Sequence, residues 1–267
     1  MEKFSPTRVG YALGDDVERI RISTPVQLCR GFLTLGWNLN CDYCINNSEQ
    51  AGDRKSLFPL GPLEMPPENW ARALARIPHS RELPITLQGG EPTLYWHGKG
   101  LSHILAALPH KFYLLTNFTL PAAQFAERVR GQQEKLRRDA PYPSIRVSYH
   151  RIEMERLWKG RGFETLIENC EQMAQHGFTV SPEKSESDIG IYVVDHPNQP
   201  IDDAMRVMAA GRIPLEAKEF LGVHDGELHG SYLYPFSTDL MAREIRPETL
   251  SCKCRSSELL IDPLGFV

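Results

Sequence analysis

The sequence predicts an α/β protein built around a parallel sheet. Six short apolar runs rich in β-branched and aromatic residues recur along the chain, at 31–35 (GFLTL), 84–88 (PITLQ), 111–115 (KFYLL), 144–148 (SIRVS), 189–194 (IGIYVV) and 215–221 (LEAKEFL). Helical patterns fill the intervals between them. The residues least expected in a plain scaffold cluster just behind the strands. Strand and helix in alternation require parallel pairing through right-handed crossovers, which means an open doubly wound sheet or a full or partial barrel.

The helix candidates follow in order. Residues 66–77 (PPENWARALARI) open on prolines suited to a first turn, and 101–108 (LSHILAAL) stop at Pro109. A long amphipathic stretch covers 121–138. Residues 163–177 and 200–211 each close on a glycine. The basic run EKLRRD at 134–139 mixes acids with bases and reads as a solvated helix face.

The chain has 267 residues, 41% hydrophobic and 24% charged, enough for a full core in one large domain with or without an appendage. A net charge of -4 gives no global basic field for nucleic acid. No stretch approaches the ~20 apolar residues of a bilayer span, and the first residues lack the apolar core of a signal peptide, so a cytoplasmic location is expected. Six cysteines fall into two tight pairs, Cys41 with Cys44 and Cys252 with Cys254, plus Cys29 and Cys170 as singles. In a reducing compartment such pairs favour metal ligation over disulfides.

In parallel α/β folds, function gathers at the carboxyl ends of the strands. GWNLNCDYC (36–44) follows the first strand, GGEPT (89–93) the second, TNF (116–118) the third and Tyr149-His150 the fourth. This combination resembles the radical S-adenosylmethionine (SAM) superfamily, over roughly residues 28–221. The resemblance implies a partial (β/α)6 barrel. Its first loop normally carries CxxxCxxC, three thiolates holding a [4Fe-4S] cluster that binds SAM and cleaves it to a 5'-deoxyadenosyl radical for hydrogen abstraction. Gly89, Gly90 and Glu91 match the GGE-type motif whose backbone and carboxylate receive the SAM ammonium. Thr116 and Asn117 match the Thr-Asn pair of the third strand. Asn117 and Ser148 are candidates for ribose or carboxylate contacts, and Tyr43 resembles the aromatic residue near the adenine.

The departure from the pattern is at residue 37, where Trp replaces the first cysteine of the motif. An indole N–H has no lone pair for a metal. Cys29 lies roughly 25 Å of extended strand away and reads as a buried thiol, and Cys170 reads as a core residue of its helix. The C-terminal pair, Cys252 and Cys254, with ELLIDPLGFV behind it, resembles the start of a SPASM or twitch extension that binds an auxiliary [4Fe-4S] cluster; an apolar end leads to the expectation of a truncated chain. The expected organisation is thus an N-terminal extension (1–27), a barrel (28–225) and a short C-terminal extension (226–267). By analogy with SPASM-bearing relatives the substrate is a peptide, and an electron donor is implied, with neither nucleic acid nor membrane as partner. His150 and residues 195–198 (DHPN) would share the same mouth. Two alternatives stand beside radical chemistry: a SAM-binding module that has lost it, and a structural zinc site formed by Cys41, Cys44, Cys252 and Cys254.

Overall fold

The computed structural model describes residues 28–41, 64–77, 84–136, 142–220, 222–225, 227–229, 258–263 and 265. Their centre is a sheet of β1 (Leu28–Phe32), β2 (Ile85–Gln88), β3 (Phe112–Thr116), β4 (Ile145–Tyr149), β5 (Ile189–Asp195), β6 (Leu215–Glu219) and β9 (Glu258–Ile261). The strand order is β6-β5-β4-β3-β2-β1-β9, and every pairing is parallel. The sheet is open, as in a partial barrel. A separate two-stranded antiparallel hairpin, β7 (Gly222–His224) and β8 (Glu227–His229), follows β6. Six α-helices are described: α1 (Pro67–Arg76), α2 (Gly100–Ala107), α3 (Ala122–Arg128), α4 (Arg151–Leu157), α5 (Gly162–Gln172) and α6 (Asp203–Ala209).

Alternation along the strands assigns the two faces. In β3 and β4, Phe112, Leu114, Ile145 and Val147 are fully buried and join Leu101, Ile104, Phe125, Leu166 and Ile167 of the helices in one core. Tyr113, Leu115, Arg146 and Ser148 occupy the opposite face, the lumen side of the partial barrel.

Several boundaries differ from the sequence expectation. The first strand begins at Leu28, not Gly31, so Cys29 lies within it. The stretch 121–138 is not one helix: α3 ends at Arg128, Gly131 adopts a left-handed φ of 70°, and a short 3-10 turn covers Gln133–Lys135. Only Asp203 onward is helical in the 200–211 candidate, because the Asp202 carboxylate accepts from the Met205 amide and caps the helix there. Helix α4 was missed. Residues 258–261 of the expected C-terminal extension are the seventh strand of the main sheet, paired with β1.

Candidate functional site at the carboxyl ends of the strands

Three strand-end loops are fastened to one another here. The Leu33 amide donates to the Gln88 carbonyl, that of Gly90 to Thr34 and that of Glu91 to Gly36, each at 2.8 Å. This contact explains both glycines of the GGE motif. A Cβ on Gly89 would stand 2.3 Å from the Thr34 carbonyl oxygen, and one on Gly90 would stand 2.1 Å from that of Gly36. The partner atoms are backbone and cannot swing aside, so the first loop can lie this close only over glycine.

Glu91 is completely buried. One carboxylate oxygen accepts from the Thr93 amide (3.0 Å), the Thr93 hydroxyl (2.7 Å) and the Thr116 hydroxyl (2.8 Å); the other accepts from the Asn117 amide (2.7 Å). Burial pushes its carboxyl above the ordinary range, opposed by these four donors. The carboxylate expected to meet a ligand ammonium is instead enclosed by the protein, where it ties the second loop to the end of β3. Thr116 serves the same brace. Asn117 closes a ring with the first loop: its Nδ2 donates to Asn38 Oδ1 (2.7 Å), Asn38 Nδ2 donates to the Thr119 hydroxyl (2.7 Å), and that hydroxyl donates to Asn117 Oδ1 (2.9 Å).

The other candidates divide. Ser148 lies on the lumen face near the end of β4. Cys41 is buried in a small cleft lined by Asn40, His150, Ile152, Glu153 and Gln199, with Glu91 not among the lining residues; the Glu153 carboxylate accepts the Asn40 amide at 3.1 Å. Burial lowers His150 to about 4, against the pull of Glu153, so its imidazole is neutral at neutral pH. Tyr43, Cys44, Cys252 and Cys254 lie outside the described residues. A larger cavity of about 540 Å³ opens beside the ends of β5 and β6, lined by Asp195, His196, Glu219, Phe220 and His229 among others. It includes three residues of the DHPN segment, Asp195, His196 and Pro197.

Among the described residues the thiols do not complete a cluster site. Trp37 is half-buried at the position of the first cysteine. Cys29 is fully buried in β1 with its thiol pushed up to about 12 by burial, and Cys170, equally buried in α5, is raised for the same reason. Such thiols stay protonated and do not ligate. Among the described residues no group of three or more His, Cys, Asp or Glu is placed to hold a metal ion. Nor is any described helix long and apolar enough to cross a membrane.

Thr34, Gly36, Asn38 and Thr119 escaped the sequence reading, since polar loop residues joining distant segments carry no periodic signal. The lumen residues Arg146 and Lys218 did leave one: a cation in the middle of an apolar strand pattern.

The family model for the radical SAM superfamily matches residues 33–208. The chain belongs to that superfamily. No curated protein matches it. Among solved structures it is similar to Streptococcus suis SuiB, with 14% identity and a TM-score of 0.49 over 89% of this chain and 49% of that one. SuiB bound to the precursor peptide SuiA gives 14% identity and a TM-score of 0.44, covering 90% of this chain and 58% of that one. Native anSMEcpe with bound AdoMet gives 16% and 0.44, covering 80% and 57%. The chain thus spans about half the length of the first of these.

Proposed function

We propose that this chain is a radical SAM-type enzyme that binds SAM across the carboxyl ends of β1 to β4 and acts on a peptide. The observation that carries the reading is the fastening of the first three strand-end loops into one rigid rim, with Ser148 on the open lumen face beside it. In this reading the backbone at Gly89 and Gly90 receives the SAM amino group. Ser148 contacts the ribose or the methionyl carboxylate, and Tyr43 lies near the adenine. Glu91, Thr116 and Asn117 position the rim without reaching the ligand. The domain boundaries expected from the sequence, the cytoplasmic location, the electron donor and an auxiliary cluster at Cys252 and Cys254 belong to the same proposal.

A [4Fe-4S] cluster held by three thiolates supplies the electron that cleaves SAM. Cys41 and Cys44 would furnish two of them, and Trp37 leaves the third place without a donor. Trp37 favours a second reading, a SAM-binding module without radical chemistry.

Anaerobic iron and sulfide analysis, SAM titration and a 5'-deoxyadenosine assay on the wild type and Trp37→Cys separate these readings. The expected result is labile, sub-stoichiometric iron in the wild type and a stable cluster with 5'-deoxyadenosine formation in W37C. Tight SAM binding by both proteins with no product from W37C would establish the binding module. Stoichiometric zinc would establish the structural site, and failure of both proteins to bind SAM would end both SAM readings.

A further inference from the structure

The lumen wall along β4 to β6 is unexpectedly cationic. Registration across β2–β3, β3–β4, β4–β5 and β5–β6 places Tyr113, Arg146, Tyr192, Glu216 and Lys218 on one face. The Arg146 guanidinium lies 4.0 Å from the ring centre of Tyr113, 5.6 Å from that of Tyr142 and 5.9 Å from that of Tyr192. The Lys218 ammonium lies 5.0 Å from the ring centre of Tyr192. Aromatic faces soften the isolation of these cations but do not neutralise them. The acid on this face, Glu216, is engaged by Lys184. Among the described residues neither Arg146 nor Lys218 has a carboxylate partner. The Lys218 side chain is exposed to the open lumen, but partial desolvation of its ammonium first, then the charges of Arg146 and Arg30, hold it below its ordinary range.

An independent observation points to the same wall. The Tyr192 side chain is almost wholly buried, and its hydroxyl has no hydrogen-bond partner among the described residues. Buried hydroxyls are normally satisfied, and one that is not marks a place where another group completes the set.

We propose that Arg146, Lys218 and Tyr192 form a recognition site for a carboxylate of the substrate, so that the peptide taken up in the lumen carries an acidic group there. The inference rests on the enzymatic reading above and deepens it by naming a substrate feature. Arg146 precedes Ser148 by two residues and so lies about 6.6 Å deeper along β4 than the layer assigned to SAM, whereas Tyr192 pairs with Ser148 and Lys218 with Val194, nearer the mouth. SAM binding by the Arg146 and Lys218 variants below tells a substrate carboxylate from that of SAM.

The test uses the full chain and three pentapeptide probes, all N-acetylated. Gly-Gly-Glu-Gly-Gly amide carries a side-chain carboxylate, Gly-Gly-Gln-Gly-Gly amide none, and Gly-Gly-Gln-Gly-Gly acid only a terminal one. Titration calorimetry is expected to show preference for one or both acidic probes over the neutral one, fading as salt is raised. The two acidic probes then tell a side-chain carboxylate from a terminal one. Arg146→Gln and Lys218→Gln should each weaken the preferred acidic probe about tenfold and leave SAM binding unchanged. Tyr192→Phe should weaken it while leaving the thermal midpoint of the free protein undiminished, which guards against misfolding as the cause. Equal binding of all three probes by the wild type would overturn the site, as would a loss in R146Q confined to SAM. Absence of SAM binding alongside a retained acidic preference would overturn the enzymatic reading and leave the carboxylate site standing.

Discussion

Replacing Glu91 by Gln is expected to act on folding before it acts on any ligand. The native carboxylate accepts four hydrogen bonds in a site sealed from water. A carboxamide must turn its NH2 toward at least one of those donors, and an unmade buried bond costs about 1–3 kcal/mol. For a chain of this size that lowers the thermal midpoint by several degrees. Thermal unfolding of E91Q without SAM checks this; a midpoint equal to that of the wild type, with loss confined to SAM affinity, would return the carboxylate to the ligand. The residues themselves were legible, since two glycines and an acid behind a strand stand out from any apolar pattern. Their partners were not. Whether Gly90 makes room for a ligand or for the Gly36 carbonyl depends on where a loop more than fifty residues earlier in the chain lies, and no local spacing records that.

Where α4 meets α5, capping comes from a neighbouring helix. Glu155 accepts the Gly162 amide (2.8 Å), the Phe163 amide (3.2 Å) and the Tyr149 hydroxyl, so the first amides of α5 are satisfied by a side chain of α4. Burial pushes the Glu155 carboxyl up. The Tyr149 hydroxyl, the two amides and the Arg151 charge outweigh burial and leave it below the ordinary range. A carboxyl lowered in the folded state contributes stability above its unfolded value, and that contribution is lost as pH falls through the folded one. The thermal midpoint of the wild type should therefore exceed that of Glu155→Gln at about pH 6, the gap closing toward about pH 3. A gap independent of pH would show that the corner does not depend on the charge. This arrangement also accounts for the missed helix α4, which buries Glu153 beside Met154 and so breaks the apolar stripe that announces a helix. α5 starts without a capping residue of its own, yet its apolar period places its start to within a residue. By contrast, β2 to β5 were placed to within about a residue, because strands covered by helices keep a clear apolar pattern.

At the level of the whole molecule, the strand near the C-terminal end of this sequence stands beside β1. Ile261 and Leu259 are buried, whereas Leu260 between them is 47% exposed. Ile261→Ala should cost about 2–5 kcal/mol, and Leu260→Ala should stay within about 1 kcal/mol; chemical denaturation of both measures the contrast, and equal losses would mean that β9 is not seated as described. The strand itself was visible in the sequence as ELLI, but its place was not, because pairing between segments nearly a whole chain apart leaves no trace in either one. The turn behind β9 reaches further, with the Pro263 carbonyl accepting the Met65 amide just ahead of α1 at 2.7 Å. On a ribosome this geometry imposes an order. β1 emerges early and can pair with β2 on one flank, but its other flank waits, open to misplaced partners, until the residues that separate it from β9 have been made. Closing that last seam spans the longest loop in the sheet, so it sets the slow phase of folding and the period in which a nascent chain most needs a chaperone's cover.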